Sequence, residues 1–102
     1  MRFMTVYEVT GRTYYCRFVR QDTGLIWDNV AEEMSAAPTW DDSVVEMVEV
    51  AGTGQYPIDV PTDLPRGVIY DVIVYLQDGS DLNNTDVIDS SYVLKLGSIF
   101  GF

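Results

Sequence analysis

The chain has 102 residues, the size of one domain with one core. Hydrophobic residues make up 47 % and charged residues 22 %, a globular balance that excludes a disordered chain. There is no His, one Cys and one Lys, and the formal net charge is −10, so histidine-based catalysis and an internal disulfide are excluded, and nucleic-acid phosphates and anionic membrane surfaces are repelled.

In chain order, residues 4–9 (MTVYEV) read as a first strand or an extended arm. Residues 13–20 alternate Tyr14, Cys16 and Phe18 against Tyr15, Arg17 and Val19, the pattern of a half-buried strand. Gln21-Asp22-Thr23-Gly24 is a turn with a glycine free to take positive φ, and Leu25–Asp28 resumes as the partner strand of a hairpin. Residues 30–37 read as a strand or as irregular chain, because Pro38 pushes the residue before it out of helix. Residues 43–50 (SVVEMVEV) predict a strand with Val45 and Met47 on one face and Val44, Val48 and Val50 on the other. Residues 56–60 follow as a short strand, and Pro57, lacking an N–H, marks it as an edge or a bulge.

After the loop 61–67 comes the strongest strand, residues 68–76. Ile69, Asp71, Ile73 and Tyr75 share one face, and Tyr70, Val72, Val74 and Leu76 share the other, so it is predicted to be central. Residues 87–96 close the domain with Tyr92, Leu94 and Leu96 facing one way. Six to eight short strands with turns at this spacing predict an all-β fold. The expected form is an immunoglobulin-like antiparallel β-sandwich over residues 11–97, flanked by an N-terminal segment 1–10 and an apolar C-terminal tail 98–102. A small barrel is the alternative. Met1, Phe3 and Met4 at one end and Ile99, Phe100 and Phe102 at the other need cover, from the domain's own core or from another chain.

Side chains able to carry chemistry are sparse. Asp41 and Asp42 beside Trp40 suggest a glycosidase pair, but adjacent residues on a strand point to opposite faces. The loop 78–86 is rich in oxygen ligands, yet it departs from the helix-loop-helix calcium pattern at Leu82 and in the place of its glycine. It reads as a solvated hairpin loop, or else as an adventitious cation site. Cys16 lies in an apolar run and is expected to be a small buried hydrophobe, and the chain lacks a histidine to activate it. The start MRFMTVYEVT lacks the long apolar stretch of a signal peptide, and no apolar run approaches membrane-spanning length. No enzyme, cofactor or metal is expected.

Charge is unevenly placed. Residues 1–20 carry four Arg against Glu8 alone, whereas the other fifteen acids meet only Arg66 and Lys95. A positive head on a negative body pairs with its own body or with a neighbouring copy, or is simply solvated.

The ordered runs Tyr14-Tyr15-Cys16-Arg17-Phe18, Gly24-Leu25-Ile26-Trp27-Asp28, Trp40-Asp41-Asp42, Gly52-Thr53-Gly54-Gln55-Tyr56, Asp63-Leu64-Pro65-Arg66-Gly67, Tyr70–Tyr75 and Thr85-Asp86 resemble a class of small β-sandwich modules among the structural proteins of tailed bacteriophages and prophages. The resemblance spans about residues 13–96 and transfers no functional residue. It implies a non-enzymatic virion component made in the bacterial host cytoplasm: a capsid decoration (cement) subunit or, alternatively, a neck, tail or baseplate module. Its expected partners are coat or other virion proteins and its own copies, with a trimer favoured. The expected contacts are a strand edge and the apolar ends: Phe3, Val6 and Tyr7 at one, and Ile99, Phe100 and Phe102 at the other, with Arg2 and Arg12 as charge partners. A rival of another class is a host-recognition or carbohydrate-binding module in which Trp27, Trp40 and tyrosines stack on sugars.

Overall fold

Alternation along the two Tyr-rich segments decides the architecture, because each must bury one face and has apolar residues on both. In the computed structural model, which describes residues 2–7, 10–61, 63–77 and 86–96, these segments are neighbouring antiparallel strands. The strands in chain order are β1 (Arg2–Tyr7), β2 (Tyr14–Arg20), β3 (Ile26–Asp28), β4 (Glu33–Ser35), β5 (Val45–Met47), β6 (Gln55–Asp59), β7 (Val68–Leu76) and β8 (Val87–Leu96); a 3-10 turn, Asp41–Ser43, precedes β5. The expected all-β antiparallel fold forms. Six strands make one sheet, ordered β4-β3-β2-β7-β8 with β5 also paired to β2, and β1 and β6 make a two-stranded ribbon.

The arrangement is compatible with a β-sandwich whose strands divide unequally, six against two. Tyr14, Cys16 and Phe18 of β2 and Tyr70, Val72 and Val74 of β7 bury the inner face of the sheet, joined by Trp27 of β3 and Leu94 of β8. Tyr56 and Ile58 of β6, with Val60 and Leu64 beyond it, pack on that face. The rings of Tyr14 and Tyr56 meet edge to face at 4.8 Å, and the Tyr56 hydroxyl donates to the Arg12 carbonyl at 2.9 Å, tying the ribbon to the entry of β2. The Tyr70 hydroxyl donates to the Pro65 carbonyl at 2.6 Å, a tyrosine corner that turns the loop into β7.

Strand β7 lies between β2 and β8, as its two apolar faces predict. Three local readings are corrected or resolved. Residues 30–37 divide into a turn, where Asp28 Oδ1 accepts from the Val30 and Ala31 amides, and the three-residue β4. The strand predicted at 43–50 shrinks to Val45–Met47. The edge of β2 that it joins is shared: β5 pairs with Tyr14–Cys16 while β3 holds Val19. Asp41 and Asp42 stand in the 3-10 turn rather than on a strand, so strand alternation does not separate them. Pro57 falls opposite Thr5 in the ribbon, and the register shifts nearby, between Arg2 and Met4.

Candidate interaction surface

Among the described residues, the outer face of the large sheet is covered at one end. There Tyr15 and Tyr75 stack at 5.3 Å, with Trp40 edge-on to Tyr75 at 5.0 Å and Val44 packed alongside. The Arg17 guanidinium lies over the Trp40 ring at 4.3 Å, and its Nε donates to Ser43 Oγ, which donates to the Trp40 carbonyl. This one cation holds the 3-10 segment down on the sheet. Asp86 is buried against the same cluster and accepts from the Tyr15 hydroxyl at 2.6 Å. Burial, and then this hydrogen bond, push the Tyr15 phenol well above its ordinary range.

Farther along that face the cover stops. Cross-strand pairing sets Ile69 beside Lys95, Asp71 beside Val93, and Ile73 beside Ser91. Val93 is 66 % exposed and Ile69 36 %. At the start of β8 the register shifts between Val74 and Tyr75: Val74 pairs with Ser90 but Tyr75 with Ile88, so Asp89 is the extra residue of a bulge. The bulge reverses the alternation and turns Ile88 to the outer face, 58 % exposed, next to Val87 at 64 %. β8 is also the last strand of the sheet, so one row of its main-chain groups lacks a strand partner among the described residues. Ile88 and Val93 of β8 and Ile69 of β7 thus form an apolar strip on the outer face, beside an edge with no strand partner among the described residues, in a domain whose net charge is −10; Val87, opposite Leu76, is exposed on the other face. The strip ends at an open depression of about 430 Å³ lined by Gln21, Asp22, Gly67, Val68 and Ile69.

The contact residues expected from sequence fall elsewhere or outside the described structure. Arg2, Phe3, Val6 and Tyr7 lie on β1, whose main chain pairs with β6 of the same chain. Arg12 is exposed before β2, with its carbonyl held by Tyr56. Ile99, Phe100 and Phe102 lie outside the described residues, as does the ligand-rich loop up to Thr85. Trp27 is buried and its indole donates to Asn29 Oδ1, and Trp40 is packed among Arg17, Tyr15 and Tyr75, so neither ring offers a free stacking platform. Cys16 is the buried hydrophobe expected, and burial pushes its thiol up to about 12. Among the described residues no group of three Asp, Glu, Cys or His side chains is placed to hold a metal.

The sequence reading missed the β8 strip, although half of it was derivable. With Tyr92 and Leu94 facing in, Val93 must face out. Ile88 required knowledge of the bulge, which reverses the alternation before Ser90. Comparison with protein-family models, with curated proteins and with solved structures found no match to this chain.

Proposed function

We propose that this protein is a non-enzymatic structural component of a tailed-bacteriophage virion, a capsid decoration subunit that attaches to coat protein and to its own copies through a strand edge. The observation that carries the reading is the β8 edge, which has no strand partner among the described residues, with Ile88 and Val93 exposed on the outer face beside it. An edge strand offers main-chain hydrogen bonds to an added strand, and the apolar side chains beside it supply the burial. The ordered motifs from Tyr14 to Asp86 support the virion assignment, and the all-β fold agrees with it. The acidic body keeps decorated particles apart in solution. Many weak contacts repeated over a symmetric shell add up by avidity.

The test is co-sedimentation of purified chain with tailed-phage particles from its source genome. The expected outcome is binding at a fixed ratio to coat subunits, weakened by Val93→Lys and Ile88→Lys, which place charge on the strip while leaving the inner core intact. Chain that stays in the supernatant, or binds as well with both lysines present, overturns the reading.

A further inference from the structure

The β8 edge carries its own charge code. Asp89, exposed at the bulge, and Lys95, exposed near the other end on the outer face, stand at opposite ends of the strand. Among the described residues neither has a charge partner, and Lys95 is the only lysine in the chain. A strand with one sign at each end complements an antiparallel copy of itself.

We infer that β8 pairs with β8 of a second copy, antiparallel about a two-fold axis through Tyr92. In that register Asp89 faces Lys95 of the second copy, and Lys95 faces the second copy's Asp89, so both pairs form at once. Ser91 and Val93 face each other across the axis, and the two Val93 side chains become diagonal neighbours on the outer face. Moving the axis to Ser91 sets Asp89 against Val93 and Lys95 against Val87. Moving it to Val93 sets Lys95 against Ser91 and leaves Asp89 beyond the ladder. A one-residue slip puts inner faces against outer ones. Only the Tyr92 axis satisfies both charges while keeping the faces aligned. The bulge at Asp89 ends the ladder on each side, so the joint sheet is short and the interface falls below roughly 1,000 Å², the range of weak and transient association. This inference rests on the edge being the interaction surface proposed above, and it specifies one occupant and one symmetry.

Sedimentation velocity over a concentration series, with the full chain, tests it. The expected result is a reversible monomer–dimer equilibrium. Asp89→Lys alone and Lys95→Asp alone each create two like-charge contacts and weaken the dimer by about tenfold or more, whereas the double swap Asp89→Lys with Lys95→Asp restores it. Circular dichroism confirms the fold of each variant; a variant that fails it is replaced by Asp89→Asn or Lys95→Gln, which remove the attraction without adding repulsion. Wild-type chain that stays monomeric at about 1 mM or forms a trimer, or single swaps that dimerise like wild type, overturn the two-fold pairing. Particle co-sedimentation reads the virion role separately: binding without dimerisation sinks only the two-fold, and dimerisation without binding sinks only the virion assignment.

Discussion

Cys16 shows how little of this chain's reactive chemistry is available to solvent. Its side chain is fully buried between β7 and β5 positions on β2, and its thiol is held protonated by burial. Cys16→Ala is expected to cost about 1–2 kcal/mol of stability, the range for losing a small buried group, and to leave the oligomeric state unchanged. Urea titration and sedimentation on one preparation check this, and altered association at unchanged stability would contradict it. Glu49 is the opposite case, a partly exposed carboxylate that does structural work. It accepts from the Thr10 hydroxyl and the Gly11 and Gly54 amides, which together hold its pKa below the usual carboxylate value. A depressed carboxylate contributes stability that is present above its unfolded pKa and is lost as pH falls through the folded one. Glu49→Gln is therefore expected to flatten the acid end of the stability profile below pH about 4, read as urea midpoints from pH 7 downward.

Among the elements, the 3-10 segment is the least self-sufficient. Three residues in such a turn have little intrinsic stability, and Trp40 is its anchor on Tyr15 and Tyr75. Trp40→Ala is expected to cost about 2–3 kcal/mol, less than a fully buried Trp because the residue is only partly buried. The same substitution is expected to release Arg17 and expose Tyr15, seen as a change in near-ultraviolet circular dichroism. Adding saccharides to wild type is expected to leave the fluorescence unmoved, since both indoles are engaged within the fold. The bulge in β8 acts at the same scale. A single extra residue, Asp89, decides that Ile88 faces outward, and it also places a carboxylate where the edge would otherwise invite indefinite strand addition.

For the molecule as a whole, protons held by buried groups set the alkaline limit. Tyr15, Cys16 and Tyr70 are all raised, chiefly by burial, with Cys16 and Tyr70 each at about 12. A raised folded pKa means that the folded chain keeps a proton the unfolded chain releases. That stability is fully present below the unfolded values, about 8.5 for Cys and 10 for Tyr, and is lost as pH rises through the folded ones. Urea midpoints are expected to hold from pH 7 to 8 and to fall from pH about 9 upward, and Cys16→Ala should delay the first part of the fall. A flat profile to pH 11 would contradict the burial of these groups.

Local patterning was enough to place the strands that carry the fold. β7 and β8 begin and end where their alternation predicts, and the inward sets Tyr14-Cys16-Phe18 and Tyr70-Val72-Val74 are those buried. Alternation is a property of neighbouring residues and does not depend on where the strand packs. The candidate surface was legible only in part, for a physical reason visible at β5 and β8. How much of β5 pairs depends on how much of the β2 edge β3 leaves free, and whether Ile88 faces in or out depends on one unpaired residue opposite β7. By itself, then, the sequence determined an acidic all-β domain with a tyrosine-rich core and a single inert thiol, because composition and period-two patterning are local. Only the tertiary structure decided which strand was left at the margin, because an edge is defined by the absence of a neighbour, and neighbours are assigned by the packing of the whole chain.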